Sequence, residues 1–177
     1  EDPVEFIHYD KKSIISQREV GKQTSSFARA LKSALREDPD VVLVGEMRDL
    51  ETISMALTAA ETGHLVLGTL HTSGAPNTIN RLIDVFPPGQ QGQIRAQIAE
   101  SLKMIITQKL IKKKDGSGRV AAFEILICTP PIKNLIREAK VHQIPSVMQT
   151  SQKDGMITME KSIEVLTQSG AIIGAVE

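Results

Sequence analysis

The sequence predicts an α/β fold: a mostly parallel sheet with flanking helices, then a β-hairpin and a C-terminal helical subdomain. Three observations carry this expectation. Apolar runs of strand length, Val41–Val44 and Leu65–Leu70, alternate with stretches of helical periodicity. Two apolar runs, 104–111 and 120–127, flank the Gly-containing stretch KKDGSGR, as in a hairpin. From residue 129 onward the chain is polar and helical in pattern, with few large apolar residues. The expected division is 1–128 for the core and 129–177 for the helical subdomain.

The elements follow in order. Between Thr24 and Arg36, the residues Phe27, Ala30, Leu31, Ala34 and Leu35 share one helical face. Asp38-Pro39 breaks that helix. Val41–Val44, unbroken and branched, predicts a strand buried on both faces. Gly45 and Glu46 follow it directly. Asp49 suits the N-cap of a helix whose stripe is Ile53, Ala56, Leu57 and Ala60, and Gly63 suits its stop. A second strand, Leu65–Leu70, ends at His71-Thr72. A helix from about Pro76 to Phe86 carries Ile79, Leu82, Ile83 and Phe86. Later helix starts are expected near Thr129-Pro130-Pro131, Pro145 and Thr158. A right-handed βαβ crossover sets the C-terminal ends of both strands on one edge, where open α/β sheets bind ligands. Glu46 and His71 both lie just past strand ends.

Composition narrows the classes. The chain has 177 residues and 41% hydrophobic content, ordinary for a globular domain. Lys plus Arg total 21, as do Asp plus Glu, so no global field draws it to nucleic acid or an acidic membrane. Aromatics are 3% and Trp is absent, which leaves few base-stacking platforms. A single cysteine, Cys128, excludes an internal disulfide framework or Cys-rich zinc site and fits a reducing compartment. No apolar run approaches the ~20 residues that span a bilayer. The opening EDPVEF has neither an initiating Met nor a signal-peptide pattern, and the expectation is that the true beginning lies upstream.

A carboxylate at Glu46 can polarise a water or help hold Mg²⁺ beside a phosphate chain, or it can merely cap the next helix. Glu5 can share the base and orienting roles if its segment lies beside Glu46, or it can belong to a surface turn set by Asp2-Pro3. His64 and His71 bracket one strand from opposite ends, which does not suit a shared metal; a strand-end His can donate to a γ-phosphate. Arg48 and Arg81 can reach phosphate or a neighbouring subunit, or stay solvated. Lys112-Lys113-Lys114 reads as a soluble hairpin tip. Asn134–Glu138, with Ile132, Leu135 and Ile136 on one side, reads as an amphipathic helix that docks on a partner or on its own domain. No G-x-x-x-x-G-K-[ST] loop occurs; Gly21-Lys22-Gln23 is the nearest.

Four stretches, EDPVE (1–5), VVLVGEMRD (41–49), GHLVLGTLHT (63–72) and IKNLIREAK (132–140), resemble in that order the Asp box, Walker B box, His box and retraction motif of the type IV pilus retraction ATPases, the PilT type of the secretion ATPase superfamily. The resemblance covers nearly the whole chain. It implies a RecA-like core in a homo-hexameric motor that uses ATP and Mg²⁺ to retract pili in twitching motility. It implies Glu46 as catalytic and metal-side carboxylate, Glu5 as its partner, His71 at the γ-phosphate, and His64 and Arg48 as nucleotide-side support. An inner-membrane platform protein is the implied partner and the cytoplasmic pilus base the implied location, with no nucleic acid and no membrane insertion. Two departures stand out: Gly45 occupies the position of a common Walker B Asp, and Ile132-Lys133 replaces Ala-Ile-Arg. In that family the phosphate loop precedes the Asp box, so this chain by itself is expected to be inactive. The alternatives are a pilus assembly or type II secretion ATPase (usually marked by a tetracysteine loop), a non-catalytic docking domain of the same fold, and a metal-dependent hydrolase built on His64, His71 and Glu46.

Overall fold

A computed structural model of the chain describes residues 1–173. Its contacts separate into two compact units, Glu1–His71 and the residues from Thr72 onward. The division expected at 128/129 follows composition, whereas the contacts group the later helices with the hairpin.

In the first unit, helix α1 spans Phe27–Ala34. It starts later than the periodicity suggests because Ser26 takes the cap, its Oγ accepting from the Arg29 N–H at 3.1 Å. Strand β1, Val41–Val44, pairs in parallel with β2, Leu65–Gly68, from Val41 opposite Leu65 to Val44 opposite Gly68. Between them runs α2, Leu50–Glu61. As expected, Asp49 caps it: one carboxylate oxygen accepts from the Thr52 N–H and the other from the Thr52 hydroxyl, both at 2.9 Å. Gly63, at φ +103, ends it in a conformation that favours glycine.

The expectation of a strand buried on both faces is corrected. Burial along β1 alternates. Val42 and Val44 join Leu31 and Ala56 in a core that Phe27, Leu35, Met47, Met55 and Val66 complete. Val41, Leu43, Leu65 and Leu67 point the other way and are exposed. Helices cover one face of this two-stranded ladder, and each side chain on the open face forgoes much of the ~1.5–3 kcal/mol that full burial contributes.

In the second unit, α3 spans Ala75–Asp84 and α4 Pro88–Ser101. The sequence reading did not anticipate α4: its stripe is only Ile94, Ile98 and Ala99, and two glycines dilute it. Pro88 at its start was the available signal. Strands β3, Met104–Lys112, and β4, Arg119–Ile127, form the expected antiparallel hairpin. Helix α5, Pro130–Arg137, follows Thr129; α6, Ile144–Thr150, carries Pro145 in its first turn; α7, Met159–Gln168, is capped by Thr158. All three starts match the sequence signals. Helix α7 lies on β4, where Ser162 Oγ accepts from the Phe123 N–H at 3.0 Å. Ile111, Ala122 and Ile172 are buried there, with Met159, Ile163 and Leu166 packed around them.

Candidate functional site

The site grows from the ends of β1 and β2, within the first unit. Beyond the ladder, the Met47 N–H donates to the Thr69 carbonyl at 3.0 Å, and the Thr69 hydroxyl donates to the Gly45 carbonyl. These bonds extend the register past both strands, so Glu46 and His71 arrive on the same rim. His71 Nε2 lies 3.5 Å from Glu46 Oε1. The Arg48 Nε–H donates to the same oxygen.

Exposure differs sharply within this trio. The Glu46 side chain is 17% exposed, whereas that of His71 is 84% exposed. Arg48 holds the Glu46 carboxyl below the usual carboxylate range, chiefly by its hydrogen bond; partial burial opposes this, and the charges of Arg48 and His71 add to it. The Arg48 guanidinium is stabilised in return. The result is an ionised carboxylate on a rigid strand end, flanked by two donors that reach into solvent.

Gly45 has a steric reason. A Cβ there would sit 3.1 Å from the Glu1 Cα and 3.6 Å from the Phe27 ring. The opening segment passes against the strand end, so a side chain there would have to push that segment back. That segment is tied down in turn: the Val20 N–H donates to the Glu1 carbonyl, and the Gln17 amide bridges Glu1 Oε1 and the Phe6 carbonyl. The acidic residue brought toward Arg48 is Asp2, whose charge Arg48 feels. Glu5 is exposed and makes no hydrogen bond or ion pair among the described residues.

His64 stands at the other end of β2. Its Nδ1 donates to the Ala59 carbonyl at 3.0 Å and lies 3.2 Å from the Thr62 hydroxyl, closing the C-terminus of α2. No group of three or more His, Cys, Asp or Glu suited to a metal occurs among the described residues. A site combining His64, His71 and Glu46 is therefore not formed. Arg81 is exposed on the last turn of α3. In and just before the Asn134–Glu138 stretch, Ile132 and Ile136 are fully buried, and Lys133 and Arg137 both pair with Glu100 of α4. That stretch packs onto its own unit. The lysines at 112–114 sit at the exposed hairpin end.

Sequence reasoning missed Thr69 and Met47. No spacing marks a threonine that locks two strand ends. Met47 had a faint signal in Gly68: a Cβ on that glycine would lie 2.4 Å from Met47 Cε.

The donor set fits a phosphate chain: Arg48 and His71 bring N–H groups and Glu46 a carboxylate. It fits Mg²⁺ only as a metal held largely by phosphate oxygens and water, which is how that ion is commonly bound.

The chain is similar to known proteins over nearly its whole length. Residues 1–119 match the family described as type II/IV secretion system protein. A twitching motility protein of Neisseria gonorrhoeae is 60% identical over 97% of this chain and 46% of its own length. The type IV pilus retraction ATPase PilT of Pseudomonas aeruginosa is 57% identical over 97% of this chain and 50% of its own. The crystal structure of the pilus retraction motor PilT with bound ADP superposes with TM-score 0.89 at 53% identity, covering 97% of this chain and 48% of that one. The chain thus spans about half the length of the relatives it matches.

Proposed function

This chain belongs to the type II/IV secretion system protein family, and we propose that in the intact protein it supplies the hydrolytic and sensing half of an ATPase that drives type IV pilus retraction. The observation that carries the reading is the rim shared by Glu46, Arg48 and His71, with Glu46 and His71 3.5 Å apart. The high identity to a pilus retraction ATPase and to a twitching motility protein supports it.

The residues divide the work. Glu46, kept ionised by Arg48, accepts a proton from the attacking water and holds that water in line. His71, exposed on the rim, donates to the terminal phosphate, and its contact with Glu46 links the base to that end of the substrate. Arg48 steadies Glu46 and offers its remaining N–H groups to phosphate oxygens. Glu5 is the proposed second carboxylate, and His64 is the structural support beneath the sensing strand. Bound ATP and Mg²⁺ supply the phosphoanhydride and the charge that spreads over its oxygens. Glu46 is the carboxylate that would face the metal if Mg²⁺ were bound there. A homo-hexamer, an inner-membrane platform partner and a cytoplasmic position at the pilus base complete the proposal. No helix among the described residues is long and apolar enough to cross a membrane.

The test is Glu46→Gln in the intact protein. Hydrolysis should fall by roughly 10²–10⁴ while nucleotide binding persists. Near-normal turnover would end the assignment. The 177-residue chain by itself, which carries no G-x-x-x-x-G-K-[ST] loop, should show no turnover.

A further inference from the structure

The ladder between β1 and β2 loses its even step at Glu46. In a parallel pair, a residue donates its N–H to one residue opposite and accepts from the residue two further on. The Leu65 N–H donates to the Asp40 carbonyl at 3.1 Å, and the Thr69 N–H to the Val44 carbonyl at 3.4 Å. An even step after Val44 would bring the Glu46 N–H to the Thr69 carbonyl. The donor is Met47 instead, at 3.0 Å. One extra residue therefore stands on the β1 side, a bulge of the kind that re-aims a side chain. Period-two alternation shows what it achieves. Val42 and Val44 point into the core. Without the extra residue, the next inward place would fall to the Glu46 carboxylate, a costly group to bury there. With it, Met47 packs against that core. Gly68 leaves room for it, since a Cβ there would lie 2.4 Å from Met47 Cε. Glu46 is released to the rim beside Arg48 and His71.

A bulge needs something to hold it, because its extra residue has no ladder partner of its own. Only every second residue of β1 faces β2, so in a regular ladder the Gly45 carbonyl would turn away. Here the Thr69 hydroxyl donates to it. Thr69 thus grips both peptide groups of Glu46: its hydroxyl holds the carbonyl before that residue, and its own carbonyl holds the N–H after it. The second bond alone would leave the first peptide free to turn and swing the carboxylate with it. We propose that Thr69 is a positioning residue for Glu46, its hydroxyl fixing the bulge that aims the carboxylate at the nucleotide. This role rests on the ATPase reading above.

The experiment uses the intact protein with Thr69→Val and Thr69→Ser, each alone and combined with Glu46→Gln. Valine keeps the branched shape that strands favour but brings no hydroxyl; serine keeps the hydroxyl and loses the branch. Strand stability and positioning therefore rank the two variants in opposite orders. Thr69 is exposed, so Thr69→Val should leave the unfolding midpoint nearly in place. It should lower kcat by about 10–10²-fold, with KM changed less than about threefold. Thr69→Ser should stay within about threefold of the original kcat. On a Glu46→Gln background, Thr69→Val should add no further loss. An unchanged kcat in Thr69→Val, a serine variant as impaired as the valine one, or full additivity with Glu46→Gln would overturn the proposal. If Thr69→Val folds poorly, Thr69→Ala removes the same hydroxyl and is held to the same comparison with serine. If the unaltered protein hydrolyses no ATP, the ATPase reading falls. The positioning claim is then judged by NMR titration of the Glu46 carboxyl. Its midpoint, held low chiefly by Arg48, should rise in Thr69→Val and not in Thr69→Ser; an unmoved midpoint refutes the claim.

Discussion

The two ends of β2 carry a histidine each, and the two have opposite fates. At the start, His64 is half-buried and its Nδ1 is committed to the Ala59 carbonyl. At the finish, the His71 side chain is almost wholly exposed and its ring meets the Glu46 carboxylate. The contrast follows from the polarity of a parallel ladder. Helices end where strands begin, so groups at that edge are drawn into capping. At the other edge the strands release their next residues outward, and side chains there remain free for chemistry.

The sharpest way to break this comparison is to remove each ring in the intact protein. His71→Ala should lower kcat by about 10²–10³, as for loss of one donor to a developing charge, without moving the unfolding midpoint. A normal kcat would erase the functional edge. Next is Gly45→Ala. Strand propensity favours alanine over glycine. The predicted Cβ nevertheless stands 3.1 Å from backbone at Glu1, so denaturant unfolding should show a loss of about 1–3 kcal/mol. A gain would mean that the opening segment yields easily. His64→Ala should cost about 0.5–1.5 kcal/mol, because the Ala59 carbonyl still accepts from the His64 backbone N–H. Its kcat should change far less than that of His71→Ala.

The smallest effect is a pH shift. Glu46 is lowered from an ordinary value near 4.5, chiefly by Arg48. A depressed carboxylate contributes above the ordinary value and loses that contribution as pH falls through the depressed one. Arg48→Ala should therefore move the acid limb of hydrolysis to higher pH. An unmoved limb would show that Arg48 does not tune the base.

Much of this edge was legible. Asp49 and Thr158 announced helix starts through capping chemistry, Pro130-Pro131 announced α5 through prolines in its first turn, and two apolar runs announced the parallel pair. The shared rim of Glu46 and His71 followed from the parallel direction of the two strands. What stayed hidden depends on distant packing. A run such as Val41–Val44 records β character but not how many layers lie against it. The opening carboxylates could not be ranked by spacing, because their placement depends on bonds to residues well along the chain, such as that from Gln17 to Glu1. Helix α4 escaped because its packing against α3 and α5 replaces the periodicity it lacks. The Glu124 carboxylate, which accepts from the Ala75 N–H at the start of α3, escaped because the two residues lie 49 apart in the chain.

The uncovered flank of β1 and β2 has a practical consequence. Val41, Leu43, Leu65 and Leu67 make a greasy strip on a ladder that, within the described residues, has no third strand to occupy its outer edges. Such a surface invites edge-to-edge stacking between molecules. Preparations of this stretch should scatter more light as they are concentrated, and lysines introduced at positions 43 and 67 should keep them clear.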